Sequence, residues 1–280
     1  NIFQNCIFCP FNINFQKMDT PDTGDWQTLF LDYDPKNSAL KGVEEQGFKI
    51  GIGIATGADS IFLQTKDEHS IETDRLVPIV SAREIQNGAI RWKKRYLINP
   101  YRDGNLCTFD LYPKMGKYFN ANKDVLKKRH TAQANHDKWY KTIDKFNDAL
   151  LKKTKLLIPD FAGMKKLVID DGHFYPHHSL YYIAGREMDD MKILASLLMS
   201  SFVRGQLSKI GICMHDGFPR LQAQTLRKIK IPNLDGFSKK ERKILINSYE
   251  NDLPLAADIV VDSYCERNNV LMAKAETKAI

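Results

Sequence analysis

The chain has 280 residues, 43% of them hydrophobic, so it can bury a sizeable core in one or two domains. Its formal charge of +7 favours an anionic partner without identifying one. The longest apolar runs are shorter than the ~18 residues that a membrane-spanning helix needs, so no membrane partner is predicted. The sequence shows neither an initiator methionine nor a signal-peptide pattern, and we expect a cytoplasmic piece of a longer protein.

The five cysteines are odd in number and scattered, which does not suggest a disulfide framework. Cys6 and Cys9 have the spacing of a zinc or redox pair. No second pair of ligands with similar spacing follows nearby, and a structural zinc site needs one. The pattern therefore favours two buried thiols.

The first half of the chain is rich in predicted strands. Residues 1–47 have the irregular pattern of a lead-in, and residues 48–54 then alternate as a strand does. A turn at residues 55–59 leads into a second β-rich run at residues 60–65, which together predict a β-hairpin. Further strands are predicted at residues 75–80 and 96–101.

Helical patterns dominate the later part of the chain. Apolar spacing over residues 123–151 and 189–210 predicts two long amphipathic helices. Ser238 and Glu241 form a capping box at the start of another helix, and a final helix is predicted over residues 255–274. Short strands are predicted at residues 156–159, 167–169, 174–175, 180–183 and 227–232. The sequence therefore predicts an α+β fold that becomes helical towards the C-terminus.

A glycine-rich stretch contains Gly51, Gly53 and Gly57, and such stretches often hold phosphates when they follow a strand. A dinucleotide site needs a helix directly after the glycines, whereas residues 60–63 favour a strand. We therefore expect a hairpin whose Thr-Gly-Ala-Asp turn presents polar groups to a phosphate or a base edge.

Three histidines, His173, His177 and His178, follow an Asp-Asp-Gly sequence and raise the possibility of metal-dependent hydrolysis. Pro176 breaks any helix that would place His173 and His177 on one face. No carboxylate–lysine nuclease pattern accompanies them. We therefore predict a polar loop without a metal ion, in which the histidines and the Ser179 hydroxyl are available to hydrogen bond with DNA.

Several short segments occur in a recognisable order, at residues 51–63, 76–79, 95–101, 126–129, 139–140, 155–160, 171–183 and 229–232. In this order they resemble the TaqI-like specificity domain that lies C-terminal to the catalytic domain in many adenine-specific DNA methyltransferases of restriction-modification systems. The resemblance covers about residues 45–235. It implies a lead-in from a missing N-terminal catalytic domain (1–47), a DNA target-recognition domain (48–235) and a C-terminal helical extension (236–280).

In that family the catalytic domain binds S-adenosylmethionine and methylates the exocyclic amino group of a flipped adenine, while the specificity domain reads the duplex. The resemblance implies double-stranded DNA and an N-terminal methyltransferase catalytic domain as partners. It places S-adenosyl-L-methionine in the missing domain and no cofactor in this chain. The expected groove contacts are Thr56, Gly57, Ala58, Asp59 and Ser60 of the turn and His173, Tyr175, His177, His178 and Ser179 of the loop. The expected phosphate contacts are Arg91, Lys93, Lys94 and Arg95.

Catalytic motifs are missing from the sequence. An adenine methyltransferase needs an Asn/Asp-Pro-Pro-aromatic loop, and the nearest match, at residues 99–101, lacks the second proline. A nucleophile elbow, a P-loop and an HExxH motif are also missing. We therefore predict that this chain alone neither binds S-adenosylmethionine nor transfers methyl groups.

Three other functions stay open at this stage. The chain is alternatively a specificity subunit of a multi-subunit restriction-modification complex, although such subunits usually carry two recognition domains and only one set of motifs is present. A metal-dependent nuclease would use the region of Asp160, Asp170, Asp171 and His173. A structural or protein-binding module with an incidental basic surface would have negligible affinity for DNA even at low salt.

Overall fold

The computed structural model describes residues 39–65, 68, 70–159, 167–210 and 222–270. Cys6, Cys9, Asp160, residues 271–274 of the last predicted helix and most of the predicted lead-in lie outside this part of the chain. Within it, no helix combines the length and the apolar character that crossing a membrane requires.

Short strands and helices alternate along the described chain, and the fold is α+β as predicted. The strands are β1 (Leu40–Gly42), β2 (Lys49–Ile52), β3 (Leu63–Thr65), β4 (Leu76–Val80), β5 (Ile85–Gln86), β6 (Ala89–Ile90), β7 (Arg95–Ile98), β8 (Tyr101–Arg102), β9 (Asn105–Leu106), β10 (Thr154–Pro159), β11 (Val168–Asp171), β12 (Tyr175–Pro176), β13 (Leu180–Ala184) and β14 (Lys230–Pro232). The α-helices are α1 (Asp59–Phe62), α2 (Pro113–Ala121), α3 (Lys123–Lys127), α4 (His130–Gln133), α5 (Asp148–Leu151), α6 (Met188–Met199), α7 (Ser201–Ile210), α8 (Ala223–Leu226), α9 (Lys239–Glu250) and α10 (Pro254–Arg267).

One antiparallel sheet, in the order β11-β10-β13-β2, separates two hydrophobic cores. Strand β10 shows this most clearly, because Leu156, Leu157 and Ile158 are all buried. Leu156 and Ile158 join the core that helices α6, α7, α9 and α10 build on one face, and Leu157 joins the core on the other face. A strand covered on both faces reads as a continuous apolar run, as this one does.

The second sheet has the order β12-β4-β7-β3 and lies against the second core. Strands β4 and β7 pair antiparallel, and the short β12 adds parallel to β4. Aromatic side chains from α2 and the following segment fill this core, among them Phe119 and Trp139. The chain passes from the first sheet into the second between β2 and β3, and it returns from the second sheet to the first between β12 and β13.

The glycine-rich stretch does not form the predicted hairpin. Strands β2 and β3 belong to different sheets, and residues 59–62 form the single helical turn α1 rather than a strand. The turn is favoured because Ile61 and Phe62 are both buried there and their amides donate to the carbonyl of Ala58. The alternation of apolar residues in this stretch therefore predicts a strand where the chain forms a helical turn.

The helix predicted over residues 123–151 is also wrong, because the structure divides this segment into α3, α4, a 3-10 turn and α5. Arg129 has an extended backbone, with φ −68° and ψ 142°, which ends the first helical stretch. Its guanidinium donates to the carbonyls of Trp139 and Lys141, so the chain folds back around this side chain. The apolar residues of the segment reach one core without a continuous helix.

Other predicted elements begin or end differently. The helix over residues 189–210 is interrupted at Ser200, whose hydroxyl accepts from the amide of Val203 and so caps α7. Of the strand predicted over residues 227–232, only Lys230–Pro232 is extended enough to pair, and it pairs with β1. The capping box at Ser238 and Glu241 is confirmed.

The first core crosses both predicted domain boundaries. Leu40 and Val43 of the predicted lead-in pack in the same core as Tyr264 of the predicted C-terminal extension. The Tyr264 hydroxyl also donates to the carbonyl of Ala39. The functional boundaries at residues 47 and 235 stay predictions, but packing joins the described residues on either side of them.

Candidate nucleic-acid interface

The turn after β2 lies directly against the histidine loop. Ile54 forms an isolated parallel bridge with His177, in which the Ile54 amide donates to Pro176 at 2.9 Å and the His178 amide donates to Ile54 at 3.0 Å. Gly53 permits this approach, because a Cβ there would lie 2.2 Å from the carbonyl oxygen of His177. The glycine therefore serves a close backbone contact and not a phosphate loop.

The approach brings Asp59 to two of the predicted site histidines. The Oδ2 atom of Asp59 lies 2.9 Å from Nε2 of His177 and 3.7 Å from Nε2 of His178. The two imidazole rings lie side by side, with their centroids 4.0 Å apart. His177 is buried, whereas the side chains of Asp59 and His178 are 44% and 48% exposed. The group is therefore anchored by the buried His177 and accessible to solvent at Asp59 and His178.

Hydrogen bonds fix the side chains of Asp59 and His177 in this group. The Thr56 hydroxyl donates to Oδ1 of Asp59 and accepts from the amide of Ala58. Nδ1 of His177 lies 3.0 Å from the Ser179 hydroxyl, which in turn accepts from the amide of Ala82. The hydrogen bond with His177 and, after it, the one from Thr56 outweigh burial and lower the pKa of Asp59 to about 2. Asp59 is therefore a carboxylate at neutral pH.

A third segment, residues 141–144, completes the surface, and no sequence motif indicates it. The amide of Ala55 donates to Oδ2 of Asp144 at 2.8 Å, and the amide of Asp144 donates back to Ala55 at 3.1 Å. Arg129 joins the same segments by donating to the Thr56 carbonyl at 2.9 Å. Ile143 then lies against Gly57 with 52% of its surface exposed. The predicted helix over these residues concealed the contact.

Three predicted contact residues are buried, namely Tyr175, Thr56 and His177. Tyr175 is only 3% exposed, its ring stacks on Phe146 with centroids 4.4 Å apart, and its hydroxyl accepts from the amide of Asn147. Burial in the core removes it from the set of DNA contacts. Thr56 is fully buried as well, and its hydroxyl contacts Asp59 and the amide of Ala58. His177 is 8% exposed and reaches the surface only beside Asp59 and His178. Gly57, Ala58, Asp59 and Ser60 are at least partly exposed, as are His178 and Ser179.

His173 lies on the same loop but has a different partner. Its ring is 73% exposed, and its amide donates to Oδ1 of Asp170 at 3.1 Å. Asp170 is itself buried and forms an ion pair with the buried Lys155, whose Nζ donates to it at 2.7 Å. This pair holds the start of the loop in place. The Asp170 carboxylate is therefore bound to partners in the protein interior and is not exposed to solvent.

The basic segment, residues 91–95, contains three exposed basic side chains and one that forms an ion pair. Arg91, Lys93 and Lys94 are exposed. Arg95 instead donates to Ser81 and to Oε2 of Glu84, whose side chain is 1% exposed. Burial would raise the pKa of Glu84, but hydrogen bonds from the amides of Lys93 and Ser81 and from Arg95 lower it. Arg95 therefore neutralises a buried carboxylate and is not available for a phosphate.

No protein-family profile matches the chain. It is 39% identical over 191 residues to the type II methyltransferase M.PaeR7I of Pseudomonas aeruginosa, a match that covers 68% of this chain and 33% of that protein. It is 36% identical over 207 residues to M.XhoI of Xanthomonas vasicola, which covers 74% of this chain and 38% of the relative. It is also 36% identical over 200 residues to M.BstVI of Geobacillus stearothermophilus, with coverage of 71% and 36%. The chain thus spans about a third of the length of these relatives.

One solved structure shares the fold at low sequence identity, and a second is less similar. The type IIL restriction-modification enzyme MmeI, solved in complex with DNA, has a TM-score of 0.53 and 14% identity over 81% of this chain and 33% of its own. The type IIG restriction endonuclease BpuSI has a TM-score of 0.47 and 14% identity, with coverage of 83% and 32%. The curated relatives confirm the predicted similarity to methyltransferases of restriction-modification systems. The narrower assignment to the TaqI-like specificity domain stays a prediction.

Proposed function

We propose that this chain is the DNA target-recognition part of an adenine-specific methyltransferase of a type II restriction-modification system. The observation that carries the proposal is the convergence of three segments, residues 55–60, 177–179 and 141–144, on one partly exposed surface. These three segments, called the recognition surface below, are far apart in sequence and joined by hydrogen bonds. Such a rigid set of polar and apolar groups suits contact with base edges.

The chemistry of the recognition surface fits bases better than phosphates. The Asp59 carboxylate repels a phosphate but accepts a hydrogen bond from the amino group of cytosine, and the exposed His178 ring offers a nitrogen beside it. Ile143 presents an apolar side chain of the kind that packs on the methyl group of thymine. Arg91, Lys93 and Lys94 supply positive charge for the DNA backbone, which fixes register but carries no sequence information.

The methyl-transfer chemistry is assigned to a separate catalytic domain. The relatives are methyltransferases of which this chain matches about a third, and the chain lacks the Asn/Asp-Pro-Pro-aromatic loop. In this proposal that domain binds S-adenosylmethionine and takes up the flipped adenine, while the present chain holds the duplex. Flipping costs a few kcal/mol, and contacts such as those of the recognition surface help to offset that cost.

The alternative of a metal-dependent nuclease has less support in the structure. It would use Asp170, yet this carboxylate is buried, paired with Lys155 and bonded to two backbone amides. A carboxylate with these commitments cannot also coordinate a catalytic metal ion at the surface. The alternative of a multi-subunit specificity protein shares the recognition surface and differs only in how the catalytic part is attached.

Selection of bound duplexes from a random library tests the proposal. We expect the chain to enrich one short sequence, and we expect His178→Ala to bind that sequence about tenfold more weakly, since a good base contact contributes about 1–3 kcal/mol of discrimination. The exposed His136, which lies outside the recognition surface, provides the control His136→Ala. Equal affinity of wild type and His178→Ala for the selected sequence would exclude this surface.

A further inference from the structure

Three side chains of metal-ligand type meet at one point of the described structure. One donor atom from each of Asp59, His177 and His178 lies within 4.8 Å of the other two. His173 and His177 do not form a site together, because Pro176 prevents a shared helix face. The structure brings a different set together, since the carboxylate comes from 118 residues away.

Two distances within the set are close to those between the ligands of a metal ion. Ligands at about 2.0–2.2 Å from a tetrahedral ion lie roughly 3.3–3.6 Å from each other. The separations from Oδ2 of Asp59 to the two Nε2 atoms, 2.9 and 3.7 Å, lie on either side of that range. A tetrahedral ion at this point would require the first separation to lengthen and the second to shorten slightly.

The surrounding contacts orient the donor atoms of Asp59 and His177. Thr56 occupies Oδ1 of Asp59 and leaves Oδ2 directed at the imidazoles. The contact between Nδ1 of His177 and the Ser179 hydroxyl leaves Nε2 on the side of Asp59. Metal-bound histidines usually have such an outer partner on the second ring nitrogen, which fixes the orientation of the ring.

We propose that Asp59, His177 and His178 form a binding site for a divalent late first-row transition metal ion, with Zn²⁺ as the best fit. Two imidazoles and one carboxylate suit this class of ion, whereas Mg²⁺ and Ca²⁺ prefer all-oxygen sites. Three protein ligands leave the fourth position of a tetrahedral ion open to solvent, on the side where Asp59 and His178 are exposed.

A bound ion would connect the turn after β2 to the loop after β12 by coordinate bonds. The backbone bridge between Ile54 and His177 already aligns these segments, so the ion would fix side chains and not rearrange the chain. The site is a property of the protein alone and does not depend on the proposed role in DNA recognition.

Calorimetric titration of Zn²⁺ into the full 280-residue chain tests the proposal. Cys6→Ser and Cys9→Ser are included in every variant, so that no Zn²⁺ can bind to this pair of thiols. We expect one ion per chain in this background, a visible ligand-field spectrum with Co²⁺, and a rise in melting temperature with added Zn²⁺.

The matched variants are His178→Asn and His173→Asn, which both replace an exposed histidine of the same loop. We expect His178→Asn to weaken Zn²⁺ binding at least tenfold, since even loss of an outer partner costs about 10–100-fold, and to abolish the Zn²⁺-dependent rise in melting temperature. His173→Asn is expected to behave as the parent. Binding that is absent from the parent, or unchanged in His178→Asn, would overturn the proposal. Because His178 is half exposed, its replacement leaves the core intact, and the melting temperature without metal verifies this.

Discussion

Basic side chains that are neighbours in sequence have different functions in this structure. Arg91 and Lys93 are exposed, whereas Arg95 neutralises the buried Glu84. The double variant Arg91→Ala/Lys93→Ala is expected to reduce the slope of log affinity against log salt by about two for duplex DNA, because each phosphate contact contributes ~0.9. The control Lys243→Ala lies on α9, which packs in the first core and not beside the basic segment, and it is expected to leave the slope unchanged. Anisotropy titrations over a salt series measure both.

Arg95→Ala is expected to lower the free energy of unfolding by about 2 kcal/mol, because it removes a charged partner from a buried carboxylate. The amides of Ser81 and Lys93 still bond to Glu84, which limits the loss. Urea unfolding measures the change. Unaltered stability together with a reduced salt slope would show that Arg95 contacts phosphate instead.

Ile143 extends the predicted site to a residue that no motif indicated. If its side chain packs on the methyl group of a thymine in the selected sequence, replacing that thymine by uracil should weaken wild-type binding roughly fourfold, for about 0.8 kcal/mol per methyl. Ile143→Ala should bind the two duplexes equally. Ile259→Ala, at an exposed isoleucine on α10, serves as the control and should keep the wild-type preference for thymine. Wild-type affinity that is the same for every thymine-to-uracil replacement would contradict this role.

The buried Tyr175 predicts a loss of stability at alkaline pH. Burial raises its pKa to about 12, above the ~10 of an unfolded tyrosine, so the unfolded chain loses the proton first. The stabilisation is complete below about pH 10 and is lost as the pH rises towards 12, by about 3 kcal/mol for this residue. Urea unfolding across this range should show the decrease, and Tyr175→Phe should make it smaller. An unfolding free energy that is constant from about pH 10 to 12 would contradict this assignment.

At the scale of elements, Gly53 determines whether the two site segments meet. A methyl group there would collide with the backbone carbonyl of His177, which has no side-chain freedom to move away. We expect Gly53→Ala to separate the segments and to accelerate hydrogen exchange at the amides of Ile54 and His178. Gly205→Ala, in α7, is the matched control, because its Cβ meets nothing within 4 Å and the change favours helix by up to about 1 kcal/mol. Unchanged exchange in Gly53→Ala would show that the bridge does not require a glycine.

The sequence predicts elements well where one periodicity dominates. The continuous apolar run of β10 and the capping box of α9 are found where they were expected. Prediction from the sequence fails where a tertiary contact determines the backbone conformation. At Arg129 the guanidinium binds carbonyls that lie 10 and 12 residues away, and this contact interrupts the predicted helix. Local spacing of apolar residues carries no information about such a contact.

The sequence predicts only part of the candidate site, because it carries no information about contacts between distant segments. Polar residues of the turn and of the histidine loop were recognised by type, and the structure joins the two segments through Asp59 and His177. Their mutual distance could not be predicted, because 118 residues separate them in sequence. Whether a residue is exposed was equally hidden, which is why Tyr175 was included and Ile143 was missed.

For the whole molecule, the sheet between the two cores is the rigid support of the recognition surface. Strand β2 leaves this sheet immediately before the turn, and β13 enters it immediately after the histidine loop. Both ends of the surface are therefore anchored in buried structure, which limits the entropy lost when DNA binds.

The central claim, that this chain recognises duplex DNA, is tested most directly by fluorescence anisotropy with a random-sequence and a selected duplex over a salt series. We expect affinity for both duplexes to fall log-linearly with salt, with the selected duplex bound more tightly at every salt concentration. Affinity that is negligible at low salt, or equal for the two duplexes throughout, would contradict the claim.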